Sequence, residues 1–292
     1  KGAKKRMKRK SKIILLCLGV FLLSGCSENV GTVYTTTYPI EYLAQILYGE
    51  HGTVSSIYPD GSDVTTYTLT DKQIDDYSQS EIFIYNGTTS EKEIAKDLSN
   101  NNRKLKVIDA AYSLKYKYGM EELWLNPSNY LMLASNIKDN LEEQIGTKYI
   151  NEEISVKYNE LKEQLSIMDA EIRSIAKDAR ERGQSTIIAS SNVFKFLEDY
   201  GFTVISLEDY ESSSASLSTL KNNFNSGTYQ YLLVKNTEPT NDLINEITTQ
   251  TNATTIAVNM MDTLSEEDRQ NNENYFTIME EFLNNLKTIT NY

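Results

Sequence analysis

Nucleophiles, acid–base groups and metal ligands carry most protein chemistry, and this sequence is short of the first and third. Its 292 residues include one histidine, His51, and two cysteines, Cys17 and Cys26. A Ser-His-Asp relay would have to run through His51. That residue lies between Gly49-Glu50 and Gly52, in what reads as a loop leading into a strand, and no nucleophile motif accompanies it. Both thiols fall within the first 26 residues, so the folded part can hold no disulfide and no cysteine-ligated metal. Carboxylates are plentiful, with 41 Asp and Glu against 29 Lys and Arg. A glycosidase would need two of them at a set separation. Nothing in the spacing fixes such a pair, and the chain is not expected to be an enzyme.

The N-terminal segment must be set aside before the fold is read. Lys8, Arg9, Lys10 and Lys12 form a basic region, and Ile13 to Leu23 is an apolar run of eleven residues. A bilayer span needs about 20. Leu23-Ser24-Gly25-Cys26 follows and resembles a bacterial lipobox, whose cysteine is lipidated and becomes the first mature residue. Met7 reads as the start, with residues 1–6 upstream of it. A diacylglyceryl group on Cys26 would tether the protein stably, outside the cytoplasm, with residues 26–31 as the tether. Residues 1–25 hold eight bases and no acid, leaving 21 bases to 41 acids, a net −20. Such a surface disfavours nucleic acid and anionic membrane as partners. It permits attraction for cations and also serves solubility.

The remaining 266 or so residues exceed what one core usually serves, which argues for two domains. Strand-like and helical patterns alternate from the start. Val33–Thr37, Val54–Tyr58, Ile82–Tyr85 and Leu105–Ile108 read as strands. Pro39–Leu47 reads as a helix with proline in its first turn. Thr70-Asp71-Lys72-Gln73 has the form of a capping box that opens another, and Ser90–Leu98 is a third. The alternation predicts a parallel sheet covered on both faces. After Gly183 it resumes: strands at Thr186–Ala189, Val204–Leu207, Tyr231–Val234 and Thr255–Val258; helices at Val193–Tyr200, Leu217–Phe224 and Asn241–Thr251. A last helix carries Met279, Phe282, Leu283 and Leu286 on one face.

Between these halves lies one long stripe. Ile154, Tyr158, Leu161, Leu165, Met168, Ile172, Ile175 and Ala179 recur at spacings of four and three, with no Gly or Pro from Asn151 to Arg182. That is one continuous helix face, stopped by Gly183, and roughly 48 Å long at 1.5 Å per residue. A coiled-coil dimer would show the same stripe. The flanking α/β patterns favour a rod joining two lobes. The organisation expected is a signal segment at 1–25, the tether, a first α/β lobe at 32–150, a linking helix at 151–183 and a second α/β lobe at 184–292. A ligand would sit between the lobes.

Six segments in order then resemble the metal-binding solute receptors of ABC importers, the zinc/manganese class (cluster A-I). They are Thr35-Thr36-Thr37-Tyr38-Pro39; the loop Tyr58-Pro59-Asp60-Gly61-Ser62-Asp63; Ile82 to Gly87; Trp124-Leu125-Asn126-Pro127; Phe196 to Gly201; and Tyr275 to Lys287. The resemblance implies a two-lobed α/β receptor with a backbone helix. It also implies a metal held by three imidazoles and one carboxylate. The matching positions carry Thr65, Glu122 and Ser190 where the family has histidine, and Asp262 where it has an acid. Tyr67 and Trp124 lie beside them in sequence.

All four matched groups are oxygens. Such a set suits Mn²⁺, Ca²⁺ or Mg²⁺ better than Zn²⁺, with Glu122 and Asp262 as the metal carboxylates. Thr65, Tyr67, Trp124 and Ser190 complete the expected pocket, and the aromatic pair would equally suit an organic cation. The function implied is a lipid-anchored, monomeric solute receptor that presents its ligand to a membrane permease. The competing reading is a surface adhesin or interaction protein on the same fold, with no transported metal. Loss of the imidazoles speaks for it.

Overall fold

A computed structural model of the chain describes residues 31–145, 147–210, 214–237 and 241–290, apart from the Thr89 side chain. Cys26 and the signal segment lie outside the described residues. The first lobe is a four-stranded parallel sheet of order β2-β1-β3-β4. Its strands are β1 (Gly31–Thr35), β2 (Gly52–Ser56), β3 (Ile82–Tyr85) and β4 (Lys106–Asp109). Helix α1 (Tyr38–Tyr48) follows β1, α2 (Asp71–Ser78) follows β2, and α3 (Thr89–Asn101) follows β3. Ile82, Phe83 and Ile84 are fully buried, as a strand covered on both faces requires. The capping box at α2 forms as read. Thr70 Oγ1 accepts from Gln73 N–H at 3.3 Å, and Thr70 N–H donates to Gln73 Oε1 at 2.9 Å.

The second lobe repeats the plan with parallel order β6-β5-β7-β8. These strands are β5 (Thr186–Ala189), β6 (Thr203–Ser206), β7 (Tyr231–Lys235) and β8 (Thr254–Val258). The segment read as a helix from Val193 winds as a 3₁₀ helix, Asn192–Tyr200. Phe194, Leu197 and Tyr200 are buried at intervals of three, the period at which 3₁₀ side chains align. A short α4 (Glu122–Leu125) leads into α5 (Pro127–Ile145), which the sequence reading passed over. Its buried face is Tyr130, Leu133, Ala134, Ile137 and Leu141.

The rod is α6 (Lys148–Glu181), 34 residues. At 1.5 Å per residue it is about 51 Å long. Ile154, Leu161, Leu165, Met168, Ile172, Ile175 and Ala179 are buried, and Tyr158 is half-buried against the same core. Gly183 ends the run in the left-handed region, with φ of 69°. Helix α6 packs on α1 and α5 from the first lobe. At its other end it meets the 3₁₀ helix and α10 (Tyr275–Ile289). The lobes are completed by α7 (Ala215–Asn225), α8 (Asp242–Gln250) and α9 (Glu266–Gln270).

One apolar cluster runs unbroken through both lobes, from Val33 and Leu43 through Trp124 and Leu165 to Phe194 and Phe282. Tyr130 and Tyr275 stack at 3.9 Å inside it. The two sheets therefore share a core along the rod. They part only where their strands end.

Candidate functional site

In parallel sheets, ligands sit beyond the carboxyl ends of the strands, where connections diverge to opposite faces. Here those ends carry Thr36 and Thr37 after β1, the loop Tyr58–Tyr67 after β2, and Asn86 after β3. The second lobe contributes Ser190 after β5, Lys235 at the end of β7, and Met260–Ser265 after β8.

Asp262 is the group best placed to meet a ligand. Burial pushes its carboxyl up to about 7, the Glu121 charge adds to this, and Lys235 opposes it. The charges of Asp63 and Glu91 also reach it. No hydrogen bond to its carboxylate occurs among the described residues. The Asp63 loop is tied to the same segment. Gly61 N–H donates to Leu264 O at 2.8 Å, and Thr263 Oγ1 donates to Ser62 O at 3.2 Å.

The other sequence-derived positions behave differently. Thr65 is exposed. Its hydroxyl donates to Asp63 Oδ1 at 2.6 Å and its N–H donates to the same oxygen at 2.8 Å, a local turn that holds the Asp63 carboxyl below its usual range. Tyr67 packs edge-on against Tyr58 at 5.8 Å, and its hydroxyl accepts from Gln73 Nε2 at 2.8 Å. Trp124 is fully buried and donates from Nε1 to Met260 O at 2.7 Å, so it is an inter-lobe core residue with no face in the cleft. Ser190 is buried at the end of β5, and its N–H donates to Leu233 O at 2.8 Å.

Glu122 is buried too, and its oxygens are taken up by backbone amides. They accept from the backbone N–H groups of Lys117 (3.3 and 3.2 Å), Tyr118 and Gly119 (2.9 Å). The carboxylate thus clamps the loop that precedes it. His51 lies elsewhere, at the turn after α1, with Nε2 2.7 Å from Glu153 on α6.

A zinc site needs about four N, S or O donors arranged as a tetrahedron. Among the described residues no group of three or more His, Cys, Asp or Glu side chains is placed to hold a metal ion. The four matched positions do not converge as four free oxygen donors, and this geometry gives no preference for Mn²⁺, Ca²⁺ or Mg²⁺ over Zn²⁺.

What the sequence reading missed is the polar lining. The hydroxyls of Thr37 and Ser62, the Asn86 amide and Asn192 Oδ1 are buried without a hydrogen-bond partner among the described residues. Buried polar groups are normally satisfied, so this lining is unusual for a closed core. Glu91, in the first turn of α3, accepts from Asn86 N–H at 2.7 Å, and burial pushes its carboxyl up to about 7. The sequence signal available was an acid five residues beyond the asparagine that ends β3.

Comparison with known proteins fits this architecture. The chain is 22% identical over 312 residues to the zinc-binding lipoprotein AdcA of Streptococcus pneumoniae, covering 97% of this chain and 61% of that protein. It therefore spans about three-fifths of the relative's length. The Zn(II)-bound ZnuA-like domain of the same AdcA superposes with a TM-score of 0.73 at 23% identity, over 90% of this chain and 99% of that one. The laminin-binding protein Lmb of Streptococcus agalactiae, described as a bifunctional protein with adhesin and metal-transporting activity, gives 0.72 at 16% identity over 89% and 99%. At these identities the structural likeness establishes the fold. The family model for ZnuA, the periplasmic component A of the zinc-uptake complex, matches residues 33–289. Two parallel lobes on one rod and a sequence match along nearly the whole folded chain place this protein in the ZnuA family of metal-importer solute-binding proteins.

Proposed function

We propose that the chain is the extracytoplasmic receptor of an ABC importer, tethered through Cys26, which captures a divalent cation in the inter-lobe cleft on Asp262 and delivers it to the permease. The observation that carries this reading is Asp262. It is the one matched ligand position that keeps an acid, and its carboxylate is half-buried and accepts no hydrogen bond from the described residues. Oxygen donors nearby, the Asp63 loop and Ser190, supply the rest of the shell together with water. With no imidazole, the site holds its cargo more weakly than a three-histidine site. Zinc is the first cation to test, because the AdcA relatives are named for binding it. No helix among the described residues is long and apolar enough to cross a membrane. A monomer suffices, since the cleft is built from one chain.

The test is elemental analysis of protein purified without chelator, followed by thermal melts with Zn²⁺, Mn²⁺, Ca²⁺ and Mg²⁺. Stabilisation of about 2 kcal/mol or more at saturating cation, lost in Asp262→Ala, supports the receptor. Stoichiometric zinc that survives Asp262→Ala refutes the assignment of Asp262. No shift with any cation, together with binding to a host or envelope protein, favours the adhesin reading. The replaced imidazoles and the clamped Glu122 lend that reading weight. Anchoring is checked separately by fatty-acid labelling that Cys26→Ala abolishes.

A further inference from the structure

Chain order puts everything after Gly183 in the second lobe, but the bonds around residues 260–269 run the other way. Strand β8 ends at Val258, paired with Lys235. Asn236 N–H donates to Val258 O at 2.8 Å and Met260 N–H donates to Asn236 Oδ1 at 3.0 Å. These are the last ties to the second sheet. Met261 then turns the chain with φ of 60°, a region that large side chains rarely adopt, and its N–H is held by Asn259 Oδ1 at 2.9 Å.

Past this turn the hydrogen bonds reach the first lobe or stay within the segment. Trp124 Nε1 donates to Met260 O at 2.7 Å, and Tyr38 N–H donates to Asp262 O at 3.0 Å. Gly61 N–H takes Leu264 O, and Thr263 takes Ser62 O. Arg269 closes the run. Its guanidinium donates to both oxygens of Glu41 at 3.1 and 2.7 Å, and from Nε to both oxygens of Asp60 at 3.1 and 3.2 Å. It also lies 5.4 Å from the Tyr38 ring centre. Glu41 is only 4% exposed, so this fork is far less screened than a surface pair.

We propose that Met260–Arg269 is mechanically part of the first lobe, clasped there by Arg269, so that the first lobe carries Asp262 to the cleft. Arg269 is then a positioning residue for Asp262, and Ser190 is the second lobe's contribution. Opening of the cleft turns at Asn259–Met261. It moves Ser190 relative to Asp262 and leaves Asp262 with the Asp63 loop. The role of Asp262 as a ligand group rests on the receptor reading above, whereas the mechanical assignment does not.

Native-state amide exchange on the intact chain tests it without any ligand. The amides of Tyr38 and Gly61 have their acceptors in the 262–264 segment, whereas those of Phe83 and Ile84 lie in the first sheet. If the segment belongs to the first lobe, Tyr38 and Gly61 exchange with the sheet amides under mild denaturant. Arg269→Met speeds those two by roughly tenfold or more and spares the sheet amides. Arg269→Lys, which keeps the charge, recovers part of the protection. Exchange at Tyr38 and Gly61 that outruns the sheet in the wild type, or is indifferent to Arg269→Met, overturns the proposal. Zn²⁺ binding measured on the same variants separates the two readings. An Asp262→Ala chain that binds zinc normally refutes the ligand role, while the exchange pattern alone decides the clasp.

Discussion

Two buried glutamates open two helices of the first lobe, and their surroundings differ. Glu91, in α3, is 2% exposed, and Glu122, in α4, is 7% exposed. Glu122 meets three backbone amides in the turn Lys117–Gly119. Glu91 meets one backbone amide, from Asn86, and the side-chain hydroxyls of Thr36 and Thr88 also act on it. At Glu91 desolvation outweighs the bonds it receives, so the carboxyl is pushed up to about 7, and the Asp109 charge adds to the effect. The kind of donor differs: backbone amides of one tight turn at Glu122, and one amide with two hydroxyls at Glu91. Glu122 is a clamp on its own preceding turn, at a position the sequence reading matched to a family metal ligand. Glu91 is an acid that can change protonation near neutral pH.

Removing the clamp is expected to have the largest effect. Glu122→Ala leaves three amides without their acceptor and costs about 3–4 kcal/mol, read as a lower urea midpoint at unchanged slope. Glu122→Gln keeps one acceptor oxygen and loses roughly half as much. Were Glu122 instead a ligand, both substitutions would leave apo stability nearly unchanged and affect only cation binding. That outcome would erase the contrast with Glu91.

Glu91 should behave in the opposite sense. Its folded pKa is raised, so its stabilising contribution is complete below the unfolded value, near 4.5, and is lost as pH rises through about 7. Glu91→Gln stays neutral throughout. It is expected to be more stable than wild type at pH 8 by up to about 3 kcal/mol and nearly equal at pH 4. Urea titrations at the two pH values check this. A variant less stable than wild type at pH 8 would mean that the Glu91 anion is satisfied as well as Glu122 is.

Trp124 and Tyr275 extend the comparison to the seam between lobes. Tyr275 donates its hydroxyl to Trp124 O at 2.8 Å, and Trp124 donates onward to Met260 O. Tyr275→Phe removes one bond of this chain but leaves the stack on Tyr130, and should cost about 1 kcal/mol in thermal unfolding. A cost above about 3 kcal/mol would show that the stack itself had moved.

The contrast also shows what was legible in the sequence. Periodicity is local, so the stripe from Ile154 to Ala179 and the apolar run Ile82–Phe83–Ile84 announced the rod and a buried strand. The family likeness was carried by short segments, such as Tyr58–Asp63 and Ile82–Gly87, which are also local. Helix α5 went unread although Tyr130, Leu133, Ile137 and Leu141 mark its face. The cleft was harder because it depends on where side chains turn. Glu122 aligns with a ligand position, but the three amides that capture it lie upstream in a loop with no regular pattern. Trp124 looked like a pocket aromatic beside Glu122, yet its indole completes a bond to Met260, 136 residues away. Thr36, Thr37 and Asn86 carry no distinguishing sequence signal. Only the packing shows that the Thr37 hydroxyl and the Asn86 amide are left without partners among the described residues.

His51 offers the smallest effect and the sharpest control. Its ring joins Glu153 at 2.7 Å, with side-chain exposures of 18% and 33%, and lies 5.6 Å from the Tyr48 ring. Half-exposed polar contacts of this kind contribute about 0.5–1 kcal/mol. His51→Ala should therefore lower stability by no more than that. The pair ties the turn after α1 to α6, at the start of β2, and the cleft lies beyond the other end of that strand. The substitution should accordingly leave the calorimetric Zn²⁺ affinity unchanged while Asp262→Ala abolishes it. A loss of zinc binding in His51→Ala would place the cation beside the chain's one imidazole and move the binding site out of the cleft.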